Sequence, residues 1–165
     1  MTDLDFFHKI FLLQDMDAGE IKEVLKIATP KVFPVGALII HEGEAGTSVF
    51  IMEKGEVEIT KRLGIVLDGE VPRERIIIRL KADEGVCFGE MALLENEPRS
   101  ATVTAATECQ LWEIGRDEFM ALIEQNRDLG CKILLRLAQL LSRHLRKTNQ
   151  DMVKLTTAMA IALGR

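Results

Sequence analysis

The pattern of hydrophobic and polar residues divides the chain into a helical start, a β-rich middle and a helical end. Helices are predicted at Asp3 to Leu13 and Ala18 to Ala28, and Pro30 is expected to end the second. From Lys31 the pattern alternates, in short runs separated by glycines: ALII, SVFIME, EVEITKRL, ERIIIRL, ATVTAAT and QLWEI. Six or more short strands at this spacing predict an antiparallel barrel or jelly roll.

The helical period returns after Gly115, first in RDEFMALIEQN with Asp117 near its cap, and then in a long helix from about Asp128. Residues of the long helix recur at alternating steps of four and three, as in a coiled-coil seam: Leu134, Ala138, Leu141, Leu145, Thr148, Met152, Leu155 and Met159. Thr148 and the following Asn149 have two interpretations. They either end the helix, with a second helix starting near Asp151, or form a polar position in a dimer interface.

Charge is distributed unevenly along the chain. Residues 127–165 carry eight Lys and Arg against two Asp and Glu, whereas residues 1–126 carry 13 against 24. The basic residues of the long helix form a stripe opposite the seam: Lys132, Arg136, Arg143, Lys147 and Lys154. Such a stripe fits either nucleic acid or a helix lying near an acidic body, and we favour the second interpretation, with no direct nucleic-acid binding.

The length of 165 residues predicts one core with an extension, which we divide into a binding domain of residues 1–126 and a helical unit of residues 127–165. No membrane-spanning run and no signal peptide are evident, so a cytoplasmic protein without a membrane partner is expected. The three cysteines and three histidines are scattered, so we expect small core cysteines, no metal and no cofactor. No nucleophile and base are paired, so no enzyme activity is expected.

The segment FGEMALLENEPRSATV, Phe88 to Val103, carries the candidate chemistry. Good helix formers follow Gly89, so a short helix is predicted whose free N–H groups, near Met91 and Ala92, can bind an anion. Pro98 fixes the position of Arg99, whose guanidinium can bind phosphate oxygens.

Two neighbouring side chains complete this interpretation. The Ser100 hydroxyl can donate to a phosphate oxygen, and the Glu90 carboxylate accepts hydrogen bonds from sugar hydroxyls. Phosphate and ribose together indicate a nucleotide. The alternative is a surface role, in which Glu90 stabilises the helix start and Arg99 pairs with Glu90 or Glu97.

The 88–103 segment closely resembles the phosphate-binding cassette of the cyclic nucleotide-binding domain family. The matching positions are Phe88-Gly89-Glu90, Ala92-Leu93-Leu94 and Pro98-Arg99-Ser100-Ala101-Thr102-Val103. The upstream run HEGEAGTSVFIMEKGEVEI resembles the barrel of the same family, and the likeness extends from about Asp3 to beyond Arg146. The expected fold class is therefore α+β: an antiparallel jelly-roll barrel with short N-terminal helices, a short phosphate-cassette helix and a long C-terminal helix.

The resemblance implies roles for individual residues. Glu90 would bind the ribose 2′-OH, Arg99 the cyclic phosphate, and Ser100 a phosphate oxygen or the base. The complete expected ligand site comprises Phe88, Gly89, Glu90, Met91, Ala92, Arg99, Ser100, Ala101, Thr148 and Asn149.

The long helix resembles the dimerisation helix of the catabolite activator type within this family. In that type a threonine and a polar neighbour contact adenine from both subunits, which favours the interface interpretation of Thr148 and Asn149. That type carries an arginine where His144 stands, so a contact from the helix back to the pocket is expected to be altered or pH-sensitive. The chain reaches Arg165 without room for a helix-turn-helix domain.

The resulting functional prediction is a regulatory module that binds a cyclic nucleotide and couples binding to movement of a dimerising C-terminal helix. A threonine after the arginine is common in cGMP-preferring members, so Ser100 favours cAMP over cGMP. The expected partners are a second copy of the chain and an unidentified protein effector. The alternatives are a ligand-free dimeric scaffold and a DNA-associated regulator lacking its own helix-turn-helix.

Overall fold

The computed structural model describes residues 4–62, 74–95 and 97–164 and contains four α-helices in those ranges. They are α1, Leu4–Phe7; α2, Ala18–Lys26; α3, Arg116–Gln125; and α4, Arg127–Ala162. The capping box between Asp17 and Glu20 starts α2, with the Asp17 carboxylate accepting hydrogen bonds from the Gly19 and Glu20 N–H groups. This carboxylate therefore satisfies two of the N–H groups left free at the helix start.

The strands form two antiparallel four-stranded sheets. In the first sheet the order is β1 (Ala28–Phe33), β8 (Cys109–Gly115), β3 (Ser48–Lys54) and β6 (Cys87–Phe88). In the second it is β2 (Leu38–Ile40), β7 (Thr102–Ala105), β4 (Glu56–Arg62) and β5 (Glu74–Lys81). Each of the six predicted segments contains a strand, although Leu63, the last residue of EVEITKRL, lies outside the described residues. The α+β jelly-roll fold class is confirmed.

Three predictions about the N-terminal region are wrong. The first helix ends at Phe7 instead of Leu13, because the following residues turn so that Ile10, Leu12 and Leu13 are all buried, which one helix face would not allow. The second helix ends at Lys26, and the chain enters β1 at Ala28. Pro30 therefore lies inside a strand, where it is tolerated because β1 is an edge strand.

Two hydrophobic clusters lie on either side of β3. Phe50 and Met52 face the space between the sheets, whereas Val49 and Ile51 face the helices, so the strand is buried on both faces. The cluster on the helix side of β3, here called the helical cluster, contains Val49 and Ile51 together with residues of the helices. Three of its residues belong to α4: Leu129, Ile133 and Leu137. The first third of α4 is therefore packed into the same core as the first sheet.

Helix α4 is continuous for 36 residues. The Asn126 side chain caps it by accepting a hydrogen bond from the Leu129 N–H at 3.1 Å. The helix passes Thr148 and Asn149 without interruption, so the alternative that it ends there is wrong. The residues from Ser142 to Met159 are all exposed, although near the start of this stretch Arg143 contacts the Phe11 ring and His144 contacts Glu90.

The prediction that all three cysteines are core residues is wrong for one of them. Cys109 is buried and Cys87 half-buried, but Cys131 is exposed on α4. The described residues contain no cluster of three or more His, Cys, Asp or Glu side chains that could hold a metal ion. Within the same ranges no helix is long and apolar enough to cross a bilayer.

Candidate functional site

The 88–103 segment begins where β6 ends, with a sharp turn at Gly89. Gly89 has φ of 78°, a left-handed conformation that favours glycine, and a short 3₁₀ helix follows at Glu90–Leu93. The predicted short helix is therefore present. The Ala92 N–H already donates to the Gly89 carbonyl at 3.2 Å, which leaves the Met91 N–H as the better candidate of the two for binding an anion.

Arg99 is held from both its backbone and its side chain. Its N–H donates to the Glu44 carbonyl at 2.8 Å, and its own carbonyl accepts from the Gly43 N–H at 2.9 Å. The guanidinium donates to the Gly89 carbonyl at 3.2 Å and to the Ser48 hydroxyl at 3.3 Å. Because the guanidinium has five N–H donors, these two neutral acceptors leave donor capacity for a ligand.

The charge of Arg99 is not neutralised by direct pairing in the described part of the chain, where no carboxylate lies within salt-bridge distance of it. Burial lowers the pKa of Arg99, an effect opposed by the negative charges of Glu113 and Glu90. An arginine starts so far above neutrality that it stays charged. The alternative in which Arg99 pairs with Glu90 or Glu97 at the surface is not what the structure contains.

Glu90 is only 8% exposed, and its carboxylate contacts the long helix. Its Oε1 lies 3.3 Å from Nδ1 of His144. The hydrogen bond to Glu90 raises the pKa of His144 above its ordinary value, while burial and the nearby charge of Lys147 lower it. Burial, together with the charge of Glu90, raises the pKa of Cys87 to about 12, so this thiol stays protonated and unreactive at neutral pH.

These side chains open onto one cavity of about 520 Å³. Its walls are the 88–103 segment, apolar residues of the barrel and one face of α4. Eight residues predicted for the ligand site line it: Phe88, Gly89, Glu90, Met91, Ala92, Arg99, Ser100 and Ala101. The volume is in the range of pockets that enclose a small organic ligand.

Thr148 and Asn149, the other two predicted residues, are exposed and lie outside this lining. The α4 residues that line the cavity are Leu140, Arg143, His144 and Lys147. These follow helical spacing along one face, whereas Thr148 and Asn149 are rotated away by about 100° and 200° from Lys147. Their predicted contact with a base therefore depends on a second chain, or on a rotation of the helix.

Sequence reasoning did not identify the barrel wall of the cavity or the role of Phe11. The apolar wall includes Ile59, Ile78 and Leu80, which alternate along their strands as any barrel interior would. Phe11 also lines the cavity, and Arg143 lies over its ring at 4.0 Å from the centroid. The basic stripe that contains Arg143 was visible in the sequence, but the residues that the stripe contacts could not be assigned from helical spacing.

The basic stripe of α4 faces the acidic N-terminal region. Lys132 forms an ion pair with Glu20 at 2.6 Å, and Arg136 pairs with Asp15. Arg136 also lies 5.0 Å from the centroid of the Phe11 ring. These contacts favour the interpretation of a helix lying on an acidic body over that of a nucleic-acid surface.

The described residues form an eight-stranded jelly roll that places an arginine, a buried carboxylate and a helix around one partly open cavity, an arrangement suited to a small anionic ligand. A family model described as the cyclic nucleotide-binding domain matches residues 30–126. The chain belongs to the cyclic nucleotide-binding domain family.

Relatives and solved structures agree with this assignment. The chain is 36% identical over 118 residues to a cAMP-dependent protein kinase regulatory subunit of Yarrowia lipolytica, covering 72% of this chain and 28% of that protein. It is 34% identical over 111 residues to a cGMP-dependent protein kinase of Drosophila melanogaster, covering 67% of this chain and 9% of that protein. The structure of Thermus thermophilus catabolite activator protein superposes with a TM-score of 0.75 at 26% identity, covering 88% of this chain and 63% of that one.

Proposed function

We propose that this domain binds cAMP in the cavity between the barrel, the 88–103 segment and α4. The main support for this proposal is that Arg99 and Glu90 line the same cavity, and that the guanidinium of Arg99 is hydrogen-bonded to neutral acceptors. Arg99, Ser100 and the Met91 N–H bind the cyclic phosphate, while Glu90 accepts a hydrogen bond from the ribose 2′-OH. The base then lies against the apolar barrel wall and α4.

Preference for cAMP is supported by Ser100, which stands where cGMP-preferring members commonly carry threonine. The apolar side chains of Ile59, Ile78 and Leu80 also suit packing against the flat face of a purine. Such packing does not require hydrogen bonds to the polar atoms at the edge of the purine. The relative from Yarrowia lipolytica is a cAMP-dependent protein kinase regulatory subunit, which is compatible with cAMP as the ligand proposed here.

A second candidate ligand is cGMP, which one specific observation favours. Arg143 and Lys147 line the cavity from α4 and supply N–H donors. The O6 and N7 atoms of guanine accept hydrogen bonds, whereas adenine offers a donor in place of O6. Measuring the affinities of cAMP and cGMP for the same protein distinguishes the two candidates.

Calorimetric titration of cAMP and cGMP tests the proposed ligand. We expect tighter binding of cAMP than of cGMP. Arg99→Ala should weaken binding by about 100-fold or more, because it removes charge-assisted hydrogen bonds that contribute about 1.5 to 3 kcal/mol each. Arg79→Ala is the matched control, since Arg79 is exposed and pairs with Glu58 outside the cavity lining.

Two results would contradict this proposal. If a folded wild type binds neither nucleotide, the cavity serves another ligand or none, as the scaffold alternative predicts. If Arg99→Ala and Arg79→Ala bind equally well, the phosphate does not lie at Arg99.

The output of the domain is regulatory rather than catalytic in this proposal. Ligand in the cavity contacts α4 through Leu140, Arg143, His144 and Lys147, so occupancy changes the relative stability of α4 positions. Exposed apolar residues beyond the barrel then form the surface that meets a second copy: Leu145, Met152, Leu155 and Met159. A protein effector and a cytoplasmic location remain predictions from the sequence.

A further inference from the structure

The contact between His144 and Glu90 joins the long helix to the residue that is proposed to bind ribose. His144 projects from α4 into the cavity wall, and its Nδ1 lies 3.3 Å from Oε1 of Glu90. The Glu90 side chain is 10% exposed and that of His144 is 54% exposed, so the carboxylate is enclosed while the imidazole remains in contact with water. A proton can therefore reach the histidine without opening the cavity.

The hydrogen bond fixes one carboxylate oxygen of Glu90 and leaves Oε2 for a ligand. A carboxylate has two oxygens with about four acceptor sites, so binding to His144 does not exhaust Glu90. We propose that His144 is a positioning residue: its protonated imidazolium orients the Glu90 carboxylate toward the ribose 2′-OH, so that ligand affinity depends on pH. This inference rests on the proposed function.

The direction of the pH dependence follows from the charges around His144. Glu90 favours the charged imidazolium, and the hydrogen bond raises the pKa of His144 despite burial and the opposing charge of Lys147. The imidazolium is present below that raised pKa and is lost as the pH rises through it. Affinity is therefore highest at mildly acidic pH and falls as the solution becomes alkaline.

The cavity wall carries other charged or titratable groups besides His144 and Glu90. On the barrel side these are Glu84, Cys87, Glu95, Glu97 and Arg99, and on α4 they are Arg143 and Lys147. Among these side-chain types only histidine ordinarily changes charge between pH 5 and 8, and the thiol of Cys87 has its pKa raised to about 12. A pH effect on binding near neutrality is therefore assigned to His144.

The test is the affinity of the full chain for cAMP and 2′-deoxy-cAMP, measured by calorimetry from about pH 6 to about pH 9. We expect cAMP affinity of the wild type to fall about five- to tenfold across this range. The nucleotide 2′-deoxy-cAMP lacks the hydroxyl from which Glu90 is proposed to accept a hydrogen bond. Its affinity should therefore change by about twofold or less across the same pH range.

Three variants separate positioning from other effects. His144→Arg keeps a permanent positive charge beside Glu90 and should bind cAMP tightly at every pH. His144→Gln should bind more weakly, also without pH dependence. His8→Gln, which changes an exposed histidine outside the cavity lining, should keep the wild-type profile.

The possible failures are distinguishable. Absence of cAMP binding at every pH would overturn the proposed function and this inference together. Tight but pH-independent binding, or a pH dependence retained in His144→Gln, would overturn this inference alone. An equal pH dependence for 2′-deoxy-cAMP would mean that the charge acts on the phosphate, and it would exclude positioning through Glu90.

A measurement without ligand provides an independent check. Nuclear magnetic resonance titration of the His144 ring should give a pKa above 6.5 in the wild type and a lower one in Glu90→Gln. An unchanged pKa in Glu90→Gln would show that the contact does not control the protonation of His144.

Discussion

At the scale of single residues, the position of Arg99 depends on Gly46, which lies in the loop between β2 and β3. A Cβ atom added at Gly46 would lie 2.9 Å from the Cβ of Ala92 and 3.0 Å from the Cδ and Nε atoms of Arg99. Such distances are shorter than normal van der Waals contacts. A side chain at Gly46 therefore displaces the Arg99 side chain and also pushes against the backbone that carries Ala92 in the 3₁₀ helix.

Gly46→Ala should reduce cAMP affinity by about tenfold and also lower the unfolding temperature, because the Arg99 side chain can move away from the added methyl group whereas the Cβ of Ala92 moves only with its backbone. Gly36→Ala is the matched control: Gly36 has φ of 79° and nothing within 4 Å of an added Cβ. It should lower the unfolding temperature and leave affinity unchanged. Equal affinities of the two variants would contradict the proposed packing role of Gly46.

The residues of the cavity differ in how far they could be predicted from sequence. Those of the 88–103 segment are contiguous, so a local pattern was sufficient to identify Glu90 and Arg99 together. Phe11 and Arg143 are 132 residues apart and meet only because α4 lies on the N-terminal turns. Such a pairing is set by tertiary packing and leaves no local signal.

At the scale of elements, α4 consists of two parts with different surroundings. Leu129, Ile133 and Leu137 are buried in the helical cluster, whereas the helix beyond Leu141 is exposed. The predicted boundary between residues 126 and 127 coincides with the start of this helix. Because the buried part of α4 is packed into the core, we infer that it contributes to the stability of the whole domain.

Leu137→Ala should lower the free energy of unfolding by about 2 to 5 kcal/mol, because it leaves a cavity in a fully buried site. Leu135→Ala, at a position 59% exposed on the same helix, should change it by less than about 0.5 kcal/mol. Chemical denaturation of both variants measures the difference. A small effect of Leu137→Ala would mean that α4 unfolds separately from the barrel.

Secondary structure was predicted best where one face of an element is buried. Along β8, buried Cys109 and Leu111 alternate with the less buried Gln110 and Trp112, whereas β1 contains Pro30 and β6 has only two residues. Neither β1 nor β6 shows an alternation of apolar and polar residues from which a strand could be predicted. The end of the first helix was predicted wrongly for the opposite reason, because five of the seven residues from Phe7 to Leu13 are apolar and burial on several sides looks helical in sequence.

At the scale of the whole molecule, charge and exposed apolar surface are concentrated on different faces of α4. The basic stripe contacts the acidic N-terminal region through Lys132 and Arg136. The apolar seam faces away from it and carries exposed residues, including Leu145, Met152 and Leu155. Attraction to the body therefore leaves the seam facing solvent, where the proposed second copy would bind.

Light scattering should give a mass of twice the 18.5 kDa chain mass for the cAMP-loaded wild type. Leu145→Glu combined with Leu155→Glu should produce a monomer, because charges on the seam cannot be buried without partners. Val153→Glu, at a position 66% exposed but off the seam, should remain dimeric. A monomeric wild type with ligand bound would contradict the proposed dimer.

The length of the exposed part of α4 would amplify a small rotation of the helix. The 18 residues from Ser142 to Met159 span about 27 Å at 1.5 Å per residue, and the far end of this stretch is exposed in the part of the chain that the structure describes. A tilt of about 10° around the last buried turn would move that end by roughly 5 Å, the distance of one helical turn. In the proposed coupling of ligand binding to helix movement, a displacement at the cavity too small to disturb the barrel would thereby be magnified into one large enough to change which residues a partner meets.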